Sequence, residues 1–348
     1  MSSIISKPMG EDMLSISVSE KKIDSLLEGT SRSFFLSLKV LPKKIRRHIG
    51  LLYILARLAD TIADSKVGEN KVLLQGLKEY NTRIQDSNKG LPDFTSLAKI
   101  QENGAEAELL SNTMIPVNYL EKSDKITDSD REKIRTCLGI IISGQILDLE
   151  RFNDASGEQI ISLENEAQLD DYTYRVAGCV GEFWTHMSLD HLFQIDEGKK
   201  DILFEKAVKF GKSLQLINIL RDLPEDLLMG RCYIPQDTLR EYQLTAEDLL
   251  NSKNIDKFKP LFDLYLERAE TYLDNAVEWI EMLPKNQYRL RLSCMLPILI
   301  GQRTLVLLKE GNILDANNRI KVLRPEIKKI MRKSIWLCIS RKNPKKMS

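Results

Sequence analysis

The chain has 348 residues and nearly balanced charge, 51 Lys or Arg against 50 Asp or Glu, and the formal net charge of +1 argues against nucleic acid as its main partner. A hydrophobic share of 43% supports a sizeable core, and 17 Gly and 11 Pro are few for a sheet-rich or disordered chain, so one large helical domain is expected. The cysteines Cys137, Cys179, Cys232, Cys294 and Cys338 are scattered without CxxC or Cys/His ligand spacing, which reads as free thiols in a reducing cytoplasm.

The N-terminus, MSSIISKPMGEDM, has no apolar run of signal-peptide length. The longest apolar stretch, CMLPILIGQRTLVLL, is cut by Gln302 and Arg303, so no membrane span is expected. Helical periodicity runs through the chain without sustained strand-type alternation. It predicts helices over 20–28, 31–39, 43–65, 70–85, 94–111, 128–152, 166–193, 200–228, 257–282, 286–311 and 325–338. Residues 1–20 read as a flexible N-terminus, 21–338 as a single domain and 339–348 as a basic tail. Asp128 is read as the cap of its helix. Pro224 should kink its helix or end the regular part, and residues 230–258 form the one long irregular region.

Two of these helices carry the same polar stripe. Tyr53, Arg57, Asp60 and Asp64 form the first, and Gln215, Asn218, Asp222 and Asp226 the second. At roughly 100° per residue each set spans about 80° or less, on helices otherwise filled by Leu, Ile and Ala. Each stripe sets two carboxylates one turn apart, where like charges repel in water and cost far more when buried. A cation must offset them. Mg²⁺ is the simplest candidate, because it takes one or two carboxylates and completes its shell with water and phosphate oxygens. Arg57 and Arg221 add fixed positive charge beside each pair, which suits a diphosphate.

Between the stripes lies DYTYRVAGCVGEFWTHM. Gly178 and Gly181 three residues apart in a helix mean that something approaches the backbone closely, either a neighbouring helix or a ligand in an apolar tunnel that Tyr172 would face. His48, His186 and His191 match no zinc spacing, and the absence of GxGxxG excludes a Rossmann site at the motif level. From Arg319 to Lys346 eleven Lys or Arg face the single acid Glu326, with Ile327, Ile330, Met331, Ile335, Trp336 and Leu337 among them. This is either a solvated helix with a frayed tail or a basic amphipathic segment on an anionic membrane surface.

Four ordered motifs resemble the squalene/phytoene synthase family, the head-to-head prenyltransferases. They are Ser31, Arg32, Ser33 and Phe34; the first stripe; Tyr172 with Val176, Ala177, Gly178, Val180 and Gly181; and the second stripe with Arg221, Glu225, Gly230, Arg231, Tyr233 and Pro235. The resemblance implies an all-α isoprenoid-synthase fold with a central apolar cavity. It implies Mg²⁺ held by Asp60, Asp64, Asn218, Asp222 and Asp226, which serve catalysis with Tyr172 as the acid/base. It implies prenyl diphosphate contacts from Ser31, Arg32, Ser33, Phe34, Tyr53, Arg57, Val176, Ala177, Gly181, Gln215, Asn218, Arg221, Arg231 and Tyr233.

Within the family, VAGCVGEFWT looks most like the bacterial squalene synthases, which join two farnesyl diphosphates through presqualene diphosphate and reduce the product with NADPH. By that resemblance Arg32, Arg57, Arg221, Lys321 and Arg324 contact NADPH. Dehydrosqualene and phytoene synthases, which skip the reduction, are the alternative, and a non-catalytic helical assembly factor of the same family is a further one. The expected location is the cytoplasm, with peripheral contact at the inner membrane face, and nothing in the sequence argues against a monomer.

Overall fold

The structure is a computed structural model that describes residues 9–31, 34–65 and 70–340, with side chains from Val18 onward. Its backbone is all-α. The helices are α1 (Met9–Thr30), α2 (Phe34–Val40), α3 (Lys43–Ala63), α4 (Asn70–Gln85), α5 (Thr95–Ile100), α6 (Gly104–Ser111), α7 (Met114–Lys122), α8 (Asp128–Arg151), α9 (Glu166–Thr173), α10 (Cys179–His191), α11 (Glu197–Leu228), α12 (Gln236–Glu241), α13 (Ile255–Met282), α14 (Tyr288–Glu310) and α15 (Arg324–Ile339). The strands among the described residues, β1 (Ile161–Ser162) and β2 (Arg231–Cys232), pair in parallel. The chain divides into two compact units, residues 1–38 with 46–142 and residues 39–45 with 143–348.

In the first unit α3 is sheathed on most of its circumference. Leu51, Leu52, Ile54, Leu55, Leu58, Ala59 and Ile62 are all buried, which leaves the Tyr53–Asp64 stripe as the uncovered strip. Tyr80 of α4 is fully buried and donates its hydroxyl to the Leu55 carbonyl at 3.1 Å. Burial pushes that phenol far above its ordinary range, so it stays a neutral donor. Arg83 of α4 pairs with Glu121 of α7, and His48 Nε2 of α3 lies 3.3 Å from Asp130 Oδ2 of α8.

The cap of α8 is Thr127, not Asp128. Its Oγ1 accepts from the Asp130 N–H at 3.1 Å and donates to the Asp130 carboxylate at 2.7 Å, while Asp128 starts the helix exposed and paired to Arg131. The Thr side chain is the shorter route to the free N–H.

The second unit is built around α11, whose Leu216, Ile217, Ile219, Leu220, Leu223 and Leu227 are buried. Pro224 neither ends nor breaks it: α11 continues to Leu228, past both aspartates. Burial of the flanking leucines holds the turn despite one missing backbone donor. Before α10 the chain makes one π turn, Tyr174–Gly178. A Cβ on Gly181 would lie 2.0 Å from the Ala207 carbonyl oxygen, and one on Gly211 would lie 2.2 Å from that of Ala177. Two backbones touch here with nothing between them. α14 is long and apolar enough to cross a membrane by length and composition, but most of it is buried inside the protein.

Gly181→Ala and Gly211→Ala should each destabilise the protein by about 1–3 kcal/mol or more, because neither carbonyl can give way. Gly198 in the first turns of α11 meets nothing within 4 Å, so Gly198→Ala should be neutral or gain a few tenths of a kcal/mol. Thermal unfolding of the three variants checks this contrast.

Candidate active site

The first stripe lies in the first unit. Tyr53 stacks on Phe34 with ring centroids 4.5 Å apart, and its phenol is raised above its usual range by burial. Ser31 sits just before α2, buried, with its hydroxyl donating to the Leu27 carbonyl at 2.5 Å. Arg57 reaches Asp60 at 3.7 Å and Glu106 of α6 at 2.5 Å. Asp60 and Asp64 fall at the C-terminal end of α3, where unsatisfied carbonyls already make the potential negative. The two carboxylates thus add to a field that favours cations. Arg32 and Ser33 lie outside the described residues.

The second stripe, in the second unit, has more neighbours. Arg221 forks onto Asp222 with Nε at 2.8 Å and Nη2 at 2.5 Å, a two-bond geometry that fixes both groups. Arg319, from the segment before α15, lies 3.4 Å from Asp222 and 2.8 Å from Glu225. Asp226 is deeply placed. Its carboxyl is pushed up to about 8, first by burial and then by Asp222 and Asp148, with Arg231 pulling the other way. Gln215 and Asn218 lie half-buried on the same helix face.

Gly230 ends α11 with φ +79° and carries the chain into β2. A Cβ there would lie 2.3 Å from the Ser156 carbonyl, so both conformation and space demand glycine. The turn and the β1–β2 pairing place Arg231 and Tyr233. Arg231 lies 3.5 Å from Asp148 of α8, and the buried Tyr233 donates its hydroxyl to the Asp148 carboxylate at 2.8 Å. Tyr172 stacks on Tyr233 with centroids 4.9 Å apart, its hydroxyl 3.5 Å from that of Tyr233. That is long for a hydroxyl hydrogen bond. Burial, Tyr172, Asp148 and Asp226 together hold the Tyr233 phenol well above its normal range, so it remains a proton donor.

The small-residue segment packs on its neighbours. Val176 meets Gly144 of α8, the Ala177 carbonyl meets Gly211, and Gly181 is turned onto α11, so helix packing is what the structure shows at Gly181. Lys321 and Arg324 are exposed. The sequence pattern gave Glu106 and Asp148 no place at the site and took Arg319 only as the start of the basic C-terminal segment. Asp148 had a signal: it shares one face of α8 with Ile141 and Gln145, and Phe152 continues that face just past the helix end. Glu106 and Arg319 had none, since their partners are remote in the chain.

The all-α fold is that of the isoprenoid synthases. A solved structure described as TcSQS in complex with the ligand BPH1237 superposes with a TM-score of 0.73 at 19% identity, covering 91% of this chain and 86% of that one. Residues 27–326 match the squalene/phytoene synthase family, and the chain belongs to that family of prenyltransferase-type enzymes. Among its relatives, the bifunctional lycopene cyclase/phytoene synthase of Podospora anserina is 26% identical over 74% of this chain and 42% of its own length. The 15-cis-phytoene synthase of Synechocystis is 26% identical over 74% of this chain and 67% of its own. The chain thus spans only about two fifths of the bifunctional relative it matches.

The position of Asp226 makes stability depend on pH. An unfolded aspartate titrates near about 3.9, so the metal-free folded protein binds this proton more tightly. The resulting stabilisation is full below about pH 4 and is lost as pH rises through about 8. Asp226→Asn should flatten that slope and melt above the parent at about pH 9, by roughly 2 °C per kcal/mol. Added Mg²⁺ should raise the parent's melting temperature there and leave the variant's nearly unchanged. Melting curves across pH, with and without Mg²⁺, check both statements.

Proposed function

We propose that this protein is a Mg²⁺-dependent prenyltransferase that condenses two farnesyl diphosphates head to head, through presqualene diphosphate, and that NADPH then reduces the product to squalene. The observation that carries the condensation is the aspartate pair found twice, each with an arginine of its own helix beside it. Asp60 and Asp64, and Asn218, Asp222 and Asp226, are hard oxygen donors of the kind Mg²⁺ takes. The Asp226 carboxyl is pushed up to about 8 first by burial and then by the neighbouring Asp222 and Asp148 carboxylates, and a cation would relieve that second part. When bound, Mg²⁺ supplies charge neutralisation to a departing diphosphate.

The chain's own residues do the rest. Arg57 and Arg221 orient the diphosphates, and the guanidinium charges favour ionisation of the allylic C–O bond, whose electron pair leaves with the diphosphate. The allylic cation is captured by the double bond of the second donor, and a proton must leave carbon as the cyclopropane closes. A phenol is a poor base alone. Here Tyr172 can take that proton while passing its own to Tyr233, which passes one to Asp148. The 3.5 Å gap between the two hydroxyls is of the kind that tightens when substrate binds.

The reduction rests on the likeness of VAGCVGEFWT to bacterial squalene synthases. For NADPH the described residues offer charge without a cradle: Lys321 and Arg324 are exposed, and Arg319 is turned onto Asp222 and Glu225. A second reading, a non-reducing synthase of phytoene or dehydrosqualene, is favoured by the phytoene synthases among its relatives.

Product analysis with Mg²⁺ and farnesyl diphosphate, with and without NADPH, separates these readings. Squalene formed only with NADPH supports the first, and dehydrosqualene regardless of NADPH, or phytoene from geranylgeranyl diphosphate, supports the second. Absence of turnover on either donor would overturn the proposal. Asp60→Asn and Asp222→Asn should each lose at least about 10²-fold in kcat with the fold retained. Tyr172→Phe should slow cyclopropane formation by about 10²-fold in single-turnover quench experiments while KM stays nearly constant, and Tyr233→Phe should do so more weakly.

A further inference from the structure

Helix α15 turns one side to the protein and the other to solvent, and the solvent side is not an ordinary one. Ile330, Ser334 and Leu337 are buried. On the outer side Ile335 is 45% exposed, Trp336 56% and Ile339 77%. Lys328, Lys329, Arg332 and Lys333 lie exposed among them. At roughly 100° per residue these seven side chains interleave within an arc of about 160°. Among the described residues none of the four bases has a carboxylate within ion-pair distance. The helix's one acid, Glu326, is held by Arg303 and by the backbone N–H of Leu323.

The same end of the unit carries a second exposed aromatic. The Cys338 thiol lies 3.2 Å from the Tyr288 carbonyl, which sets the start of α14 beside the last turn of α15, and Tyr288 is 59% exposed. In sequence the helix is followed by Arg341, Lys342, Lys345 and Lys346. Large apolar side chains facing water cost free energy, and Ile335, Trp336, Ile339 and Tyr288 each turn about half of their surface or more to it.

We infer that this face of α15, with Tyr288, docks on an anionic phospholipid bilayer. Charge complementarity selects the occupant. An uncompensated cationic surface on a chain of net charge +1 requires an extended negative surface, and the headgroup plane supplies one. Trp336 and Tyr288 are the residue types that settle at the boundary between headgroups and acyl chains, and Ile335 and Ile339 enter it. Lysine and arginine stems lie along the apolar zone with their charges at the phosphates. The helix therefore lies in the plane of the surface and does not cross it. The inference stands on these side chains and is independent of the reaction proposed above.

The test is sedimentation of the whole 348-residue chain with vesicles of two parts phosphatidylcholine to one part phosphatidylglycerol, against phosphatidylcholine alone. Binding to the anionic vesicles at about 50 mM salt, weakened about tenfold or more at about 0.5 M, is expected. Trp279 is buried and Trp184 partly so, which makes Trp336 the tryptophan whose emission should shift to the blue on binding. Lys328→Glu/Arg332→Glu and, separately, Trp336→Ser/Ile339→Ser should each weaken binding about tenfold or more, with melting temperature unchanged. Equal binding to neutral vesicles, no binding, or insensitivity to both double variants would overturn the inference. So would a lipid-free dimer in sedimentation velocity that Trp336→Ser/Ile339→Ser dissociates, since a second copy would then be the occupant.

Discussion

Four aspartates sit where their own helices make them least welcome. Asp60 and Asp64 lie at the C-terminal end of α3, and Asp222 and Asp226 lie in the closing turns of α11. The dipole at such an end is negative, the partner one turn away is negative, and apolar side chains strip water from much of each helix. Each unit answers its own pair: in the first, Arg57 is shared between Asp60 and Glu106; in the second, Arg221 forks onto Asp222, Arg319 spans Asp222 and Glu225, and the Asp226 carboxyl is pushed up to about 8. Each response is partial.

The second unit shows how a short motif can be a structural instruction. Gly230 gives α11 its left-handed end and fits against Ser156, where no side chain could. Arg231 and Cys232 pair with Ile161 and Ser162. Tyr233 is thereby pointed at Asp148, and Arg231 is set beside the same carboxylate. Asp148 gathers three things in one place: a proton acceptor, an anchor for Tyr233, and part of the field that raises Asp226.

Most of the helices were legible because core burial writes itself into sequence at a 3.6-residue period, and α3 is the clearest case. The misses have separate causes. α7 was hidden by its length and by Pro116 in its first turn, and α1 extends upstream of the expected start through residues with little apolar patterning. The break between α5 and α6 rests on Asn103, whose side chain caps α6 by accepting from the Ala105 N–H. Thr127 outcompeted Asp128 as a cap because side-chain reach, not charge, decides that contact. The aspartates, the arginines beside them and Tyr172 could be named from spacing and resemblance. The pairings of Asp148 with Tyr233 and of Arg319 with Asp222 could not, since hydrogen bonds between residues 85 and 97 apart leave no local trace, although Asp148 itself stood out on its helix face.

The contact of Gly181 and Gly211 with opposing carbonyls has a mechanical meaning. Side-chain packing can yield by changing rotamers, but backbone against backbone cannot, so the start of α10 and the middle of α11 are coupled as rigid parts. α11 carries Asp222 and Asp226 farther along the same rod, and the π turn that joins α9 to α10 follows directly on Tyr172 and Thr173. A small rotation of α11 must therefore drag the Tyr172 segment with it. The positions of Asp222 and Asp226 and of the Tyr172 phenol are thereby linked through two residues with no side chain at all.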